Sequence, residues 1–332
     1  MRAVLLTGYG GPEKTRLTSV DKPSIGAGDL LVRVTGAGLN PLDYKTRKGE
    51  VRVILRRRLP FVLGNELSGE VVDAGQDVRD FAVGDRVIGR VEKSRLGGFA
   101  EYAAIDASVT AHAPASIPLA DAAGLPLAGL TALQALSELQ AGPGRHILIT
   151  GGAGGVGTLA IQIARILGAE ITTTASPRGE ALVRDLGADH VIDYTTTDLA
   201  SVETRFDGVF DLMGGKTLNA CFRLCKPGGT VLTIAGMPDA YTARHDLGAG
   251  WILQLLFDLA ARRYRQLARE HGVTYRYMFM RPDGPGLTRL VKWVDAGKLR
   301  LIVDSRHPFD DFPKAMAHLE SGHAKGKVLL RM

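Results

Sequence analysis

Seven residues, Gly151-Gly152-Ala153-Gly154-Gly155-Val156-Gly157, limit what this chain can fold into more than any other stretch. They follow the strand-like run Arg145-His146-Ile147-Leu148-Ile149-Thr150. They open Val156 to Leu167, whose apolar spacing is helical and ends at Gly168, a C-cap. Glycines let the chain turn tightly and let backbone amides reach a pyrophosphate, while the helix start favours its negative charge. The pattern G-x-G-x-x-G alone is weak, because glycine-rich turns are common. The strand before it and the helix after it supply the context that a dinucleotide site requires. Gly152, Ala153, Gly154, Gly155, Val156 and Gly157 are therefore candidate cofactor-binding residues. A nucleotide-triphosphate P-loop is excluded, since Thr158 rather than lysine follows Gly157.

The next strand, Glu170 to Ala175, decides which dinucleotide. A site for NAD places Asp or Glu at that strand's end, on the ribose hydroxyls. Here the end reads Thr174-Ala175-Ser176-Pro177-Arg178, with no acid. A hydroxyl and a guanidinium suit a 2′-phosphate, which a carboxylate would repel. NADPH is the expected cofactor, with Ser176 and Arg178 on its phosphate. The competing reading of Arg178 is a solvated loop cation.

The patterning changes along the chain. From 1 to 117, short β-branched runs recur, such as Leu30-Leu31-Val32-Arg33-Val34 and Arg86-Val87-Ile88, with turns between them. This predicts an antiparallel barrel or sandwich. From 118 to 280, strand-like and helix-like segments alternate, which predicts a parallel sheet with crossover helices. Its strands include Val191-Ile192, Val209 to Leu212 and Thr230 to Ala235. A helix spans Gly179 to Leu186, Lys226-Pro227-Gly228-Gly229 is a turn, and 239–250 is an irregular loop. From 281 to 332, a helix (Leu287 to Ala296) and two or three strands return to the first domain. The expected fold class is α/β: a β-rich domain from 1–117 and 281–332, and a doubly wound parallel-sheet domain from 118–280. A chain of 332 residues suits two such cores.

Composition excludes other classes. A net charge of +6 is a mild excess for this length and comes with no nucleic-acid motif, so no nucleic-acid partner is expected. The two cysteines, Cys221 and Cys225, suit successive turns of one helix and build neither a disulfide framework nor a four-cysteine zinc site. The amino terminus lacks a signal peptide's apolar segment, and the longest membrane candidate, Trp251 to Phe257, is too short to span. A cytoplasmic location without an integral membrane segment is expected.

Five further segments and the glycine loop carry a family resemblance: Asn40-Pro41-Leu42-Asp43-Tyr44-Lys45, Gly64-Asn65-Glu66-Leu67-Ser68-Gly69, Gly97-Gly98-Phe99-Ala100-Glu101-Tyr102, Leu125-Pro126-Leu127-Ala128-Gly129-Leu130-Thr131-Ala132, the glycine loop, and Leu186-Gly187-Ala188-Asp189. In this order the chain resembles the medium-chain dehydrogenase/reductase superfamily, in its quinone oxidoreductase branch. The resemblance implies a GroES-like catalytic domain, a central Rossmann domain and an active site in the cleft between them. Alcohol dehydrogenases of that superfamily bind zinc with a cysteine near the position of Asn40, a histidine near Asn65 and a further cysteine. This chain has Asn at both positions and no cysteine before Cys221, and one carboxylate, Glu66, cannot hold a catalytic zinc. The eight histidines form no ligand spacing. No metal is expected.

Without a metal, quinones and α,β-unsaturated carbonyls are the expected substrates, because their negative charge delocalises and hydrogen bonds can stabilise it. The resemblance places Asn40, Asp43, Tyr44 and Lys45 on the substrate side. Asn40 would donate to a substrate oxygen, Lys45 or Tyr44 would donate a hydrogen bond or a proton, and Asp43 would orient Lys45. Asn40 and Asp43 equally suit a turn-capping role beside Pro41. The resemblance also puts Thr131, Tyr194, Ala235, Gly236, Phe279, Met280 and Lys327 near the cofactor. It implies a homodimer formed through a sheet edge near Thr230 to Ala235.

Two stretches depart from the family. Arg56-Arg57-Arg58 lies on the substrate-side loop, and Trp251 to Arg269 reads as one long amphipathic helix with a basic second half. Each reads as a solvated or packing face. The alternatives are recognition of an anionic substrate, such as an enoyl thioester, and peripheral contact with an anionic membrane. A cofactor-binding protein with little catalysis stays open beside the reductase.

Overall fold

Apolar runs enclosed on both faces make parallel strands, and in His146–Ile149 the side chains of Ile147, Leu148 and Ile149 are fully buried. The computed structural model describes residues 1–55 and 57–332, in two units: Thr131–Arg281, and Met1–Leu130 with Pro282–Met332. In the unit of Thr131–Arg281, six strands pair in parallel. Their spatial order is His190–Asp193, Glu170–Ala175, His146–Ile149, Phe206–Asp211, Cys225–Thr233, Thr274–Tyr277. Counted along the unit, this is 3-2-1-4-5-6, the doubly wound order of dinucleotide-binding sheets. The order reverses beside His146–Ile149, so the glycine loop leaves the sheet where such folds bind ligands.

The other unit is β-rich. A seven-stranded sheet is built around the long strand Asp29–Leu39, which pairs with Glu66–Ala74, Tyr102–Asp106 and the last strand, Lys327–Arg331. Val328 stands opposite Leu39, so the carboxy-terminal strand delivers Lys327 to the end of Asp29–Leu39, where Asn40 begins a helix. A three-stranded sheet of Arg2–Leu6, Thr15–Ser19 and Phe61–Val62 accompanies it. The core includes Val4, Leu6, Leu39, Leu63, Phe99, Phe312, Val328 and Leu330.

Several elements differ from the sequence expectation. The unit boundary falls after Leu130 rather than at Pro118, because residues 118–130 bond to the β-rich unit. Ser68 Oγ donates to the Leu119 carbonyl at 2.5 Å, and Arg306 pairs with Asp121 at 2.9 Å. The strand through Thr230–Thr233 is paired on both sides, so it is no sheet edge; Thr274–Tyr277 is. Cys221 lies in the helix Gly215–Leu224, but Cys225 starts the following strand, and both are free, buried thiols. Lys226–Gly229 continues that strand with an irregular register rather than forming a turn. The stretch 251–269 is two helices, Trp251–Ala260 and Arg262–His271, broken at the buried Ala261. A short π-helix, Thr242–Asp246, interrupts the expected loop, and a helix absent from the expectation, Phe312–Glu320, precedes the last strand.

Candidate functional site

The glycine loop is held to its sheet by bonds from its backbone amides to Thr174. Gly151, at φ +68° in the left-handed region, donates to Thr174 Oγ1 at 2.8 Å, and Gly152 donates to the Thr174 carbonyl at 3.0 Å. Gly154 caps the helix Gly155–Leu167. A Cβ on Gly157 would stand 2.3 Å from the Gly151 carbonyl oxygen and 2.7 Å from Gly152 Cα. Only glycine lets the first helical turn sit so close to the loop. The first-turn amides of Gly155, Val156 and Gly157 lack partners within their helix, as at every helix start, and the dipole there favours an anion. The loop thus forms a cradle suited to a pyrophosphate.

Ser176 caps the helix Pro177–Asp185, and Arg178 is exposed in its first turn. A Cβ on Gly179 would lie 3.1 Å from Ala153 Cβ, so that turn packs against the loop. Tyr194 follows the adjacent strand, is 56% exposed, and its amide donates to the Ala175 carbonyl at 3.4 Å. The end of the second strand carries no carboxylate. On the far side, Ala235 N donates to Thr233 Oγ1 at 3.0 Å, and Gly236 packs where a Cβ would meet Tyr275 Oη at 2.6 Å. Phe279 N donates to Asp246 Oδ2 at 2.9 Å, and Met280 beside it is half-buried. Thr131 is buried inside the helix Pro126–Glu138, away from its cap.

One residue of this unit escapes the sequence reading. Asp211, fully buried at the end of its strand, accepts from Thr150 Oγ1 at 3.0 Å and Thr233 Oγ1 at 2.7 Å. It also accepts from the amide of Gly214 at 3.0 Å. A single carboxylate therefore ties the ends of three adjacent strands, at the edge where the glycine loop emerges. Burial pushes its carboxyl above the ordinary value, against the pull of these hydrogen bonds. The only signal in the sequence is an acid closing the apolar run Val209-Phe210.

The β-rich unit holds a second polar group, whose side chains bond mainly to one another, with Asn65 Oδ1 buried and without a hydrogen-bond partner. Asn40 caps the helix Pro41–Lys48, with its amide donating to Asp43 Oδ2 at 2.7 Å. Asp43 Oδ1 accepts from Asn65 Nδ2 at 2.7 Å. Asn40 Nδ2 donates to Glu66 Oε1 at 2.7 Å. Lys327 Nζ donates to Glu66 Oε1 at 2.7 Å, to Asn40 Oδ1 at 2.6 Å and to the Leu39 carbonyl at 3.2 Å. Glu66 Oε2 accepts the Leu127 amide at 2.6 Å. Gly38 admits this carboxylate, since a Cβ there would stand 2.2 Å from Glu66 Oε1.

Electrostatics follow from this burial. Desolvation pushes the Asp43 carboxyl up to about 7; bonds from Asn65 and Asn40 and the charge of Lys327 oppose the shift, and Glu66 adds to it. Burial lowers the Arg90 guanidinium to about 10, while Glu66 and Asp43 hold it up. Lys327 and Glu66 face each other as a buried ion pair at 2.7 Å, so removing either would strand the other's charge.

The expected roles sort accordingly. Asn40 and Asp43 are capping residues, as their alternative reading had it. Asp43 does not orient Lys45, because its oxygens go to Asn40 and Asn65. Tyr44 packs on the apolar core with the Lys48 ammonium 5.0 Å from its ring, and burial raises its phenol, which weakens it as a proton donor. Lys45 is half-buried on the same helix. Lys327, expected beside the cofactor, gives its ammonium bonds to Glu66, Asn40 and Leu39 instead. In the arginine loop, Arg56 lies outside the described residues, Arg57 donates to the Ser94 carbonyl and covers Phe61, and Arg58 is exposed.

Comparison with known proteins agrees with this architecture. Residues 26–115 match the family described as alcohol dehydrogenase GroES-like domain, and residues 186–330 match that described as zinc-binding dehydrogenase. A chloroplastic quinone oxidoreductase of Triphysaria versicolor is 33% identical over 341 residues, covering 99% of this chain and 98% of its own. A chloroplastic NADPH-dependent alkenal/one oxidoreductase of Arabidopsis thaliana is 33% identical, covering 99% and 79%. The solved quinone oxidoreductase from Coxiella burnetii has a TM-score of 0.88 at 31% identity, covering 100% and 99%.

Proposed function

This chain belongs to the quinone oxidoreductase branch of the medium-chain dehydrogenase/reductase superfamily, and we propose that it is a zinc-free, NADPH-dependent reductase of quinones and α,β-unsaturated carbonyls. Its units are the GroES-like and Rossmann-type domains of that family. The observation that carries the zinc-free reading is the closed Asn40–Glu66–Lys327 group. Where the zinc enzymes of the superfamily supply cysteine and histidine, this chain has amides. Asn40 is bonded to Glu66 and Lys327, and Asn65 to Asp43. A lysine ammonium sits on the one carboxylate. Such a donor set does not fit a zinc ion, which takes three deprotonated or neutral ligands at a catalytic site.

The Rossmann unit fits a reduced dinucleotide. The amides of Gly155, Val156 and Gly157 would hold its pyrophosphate, and Ser176 and Arg178 its 2′-phosphate; Tyr194, Ala235, Gly236, Phe279 and Met280 are the further positions the family resemblance assigns to the cofactor. Bound there, the nicotinamide supplies the hydride. The work left to the protein is to position the acceptor and stabilise its developing oxyanion. Of the four substrate-side candidates, Lys45 is the proposed donor, since Asn40 and Asp43 are engaged in the cap and Tyr44 packs in the core. Quinones and enones suit such a site because their charge is spread over a conjugated system.

Two finer statements belong to this proposal. A homodimer would pair the exposed edge strand Thr274–Tyr277 with its copy, which size-exclusion chromatography tests. A cytoplasmic location is the finer reading, and fractionation tests it against the chloroplastic location of the plant relatives above. Among the described residues no helix is long and apolar enough to cross a membrane.

The deciding experiment follows NADPH oxidation with a benzoquinone, a linear enone, a crotonyl thioester and a simple ketone. Turnover of quinone or enone supports the proposal. Preference for the thioester would move the substrate class to acyl carriers, and silence with NADPH bound would leave a binding protein.

A further inference from the structure

The helix Trp251–Ala260 reads Trp251-Ile252-Leu253-Gln254-Leu255-Leu256-Phe257-Asp258-Leu259-Ala260 and is apolar on nearly every side. A helix of that composition belongs in a core or a membrane. Yet it has no buried residue: Trp251 is 73% exposed, Ile252 59%, Leu255 54%, Leu256 55% and Leu259 61%. Tyr241 and Met237, on the preceding segment, add to the exposed apolar surface. Isolated exposed apolar residues need no explanation, but a contiguous set marks a surface that something covers.

The next helix shows that the segment is not simply loose. Arg262–His271 is anchored through the buried Ala261 and Ala268, and Tyr264 stacks on Phe222 and Tyr275 at 6.2 and 5.3 Å between centroids. Its outer side presents Arg262, Arg263 and Arg269, all exposed, with Arg244 and His245 exposed on the segment before the hairpin. Of the hairpin's two acids, Asp258 pairs with Arg265, while Glu270, exposed, accepts from the neutral Gln266 at 2.9 Å and keeps its charge, so the four arginines are in excess. An apolar helix bordered by an excess of arginines is complementary to one kind of surface, an apolar interior under a negatively charged rim.

We propose that the hairpin 251–271 docks this protein onto an anionic lipid bilayer, with Trp251–Ala260 lying in the plane of the interface and Arg262, Arg263 and Arg269 on the lipid phosphates. Ten residues cannot cross a bilayer, but they suffice to lie in its interface. The charge pattern disfavours a second copy of the chain on this face. A two-fold contact sets like patch against like patch and would bring the two sets of arginines together.

The test uses the full chain with Trp293→Phe, which leaves Trp251 as its only tryptophan, and is read by vesicle flotation and Trp251 emission. Vesicles of phosphatidylcholine with phosphatidylglycerol should float the protein and shift its emission to the blue, whereas phosphatidylcholine alone should not. Replacing Arg262, Arg263 and Arg269 by Glu should weaken partitioning at least roughly 100-fold, since each arginine near an anionic leaflet contributes about five-fold. Leu255→Ser with Leu256→Ser should abolish the shift while NADPH oxidation in the same preparation is kept. No flotation, or equal flotation on both vesicles, overturns the proposal. So does a dimer in lipid-free solution that the two serine substitutions dissociate, which would assign the face to a second copy.

Discussion

The glycine loop and the Asn40–Glu66–Lys327 group are both polar, both tightly packed and both at strand ends, but they are made in opposite ways. The loop is local: seven consecutive residues, backbone groups for ligands, side chains removed so that chain can approach chain. The second group is assembled from three distant segments, and its chemistry lies in side chains that satisfy one another. Gly157 is required because any Cβ collides with Gly151. Lys327 is required because Glu66 is enclosed. The loop leaves first-turn amides for a ligand, whereas in the other group Asn40, Glu66 and Lys327 bond to one another and Asn65 Oδ1 stays buried without a hydrogen-bond partner.

Substitutions that spoil one region and spare the other sharpen that contrast. The largest effect should come from Lys327→Met, which strands a buried Glu66 carboxylate and should cost about 3–5 kcal/mol in urea unfolding. An unchanged midpoint would mean that the pair is dispensable. Gly157→Ala should act on the cofactor instead. The displaced loop should weaken NADPH about 100-fold, near 2.7 kcal/mol, in a fluorescence titration, with the β-rich unit unaltered by hydrogen exchange.

A pH effect of comparable size belongs to the polar group alone. Asp43 keeps its proton to about pH 7 in the folded chain but only to about 3.8 when unfolded. The stability it contributes is complete below about 3.8, declines as pH rises and is gone above about 7. The slope should be on the order of 1 kcal/mol per pH unit in that window, and Asp43→Asn should flatten it. A wild-type slope equal to that of the variant would show that Asp43 is ionised throughout. The smallest effect is at the rim of the loop, where Arg178→Ala should reduce the preference for NADPH over NADH roughly ten-fold. Unaltered preference in the ratio of kcat/KM would return Arg178 to the solvated loop cation of its alternative reading.

The same contrast explains what was legible in the sequence. The loop, its flanking strand and helix and the acid-free end at Ala175 are contiguous, so reading them required no tertiary information. Asn40 and Asp43 were visible as a cap beside Pro41, and their resemblance to a substrate-side segment gave them a catalytic role, whereas in the structure their bonds go to the cap, Glu66 and Asn65. Lys327 was visible as a basic residue, but its partner lies in another strand and only the antiparallel pairing of Val328 with Leu39 brings them together. Asp211 carried almost no signal, because one acid at the end of an apolar run looks like a turn residue until its strand has neighbours. The break at Ala261 was hidden by continuous helical composition and appears only because tertiary packing buries that alanine.

The central claim is a reductase that uses no metal and prefers NADPH. Its most direct test is kcat/KM for a benzoquinone, with NADPH and with NADH, before and after exhaustive chelation with metal content measured. The account predicts a rate that chelation leaves unchanged and that is about ten-fold higher with NADPH. A rate abolished by chelation and restored by zinc would contradict it.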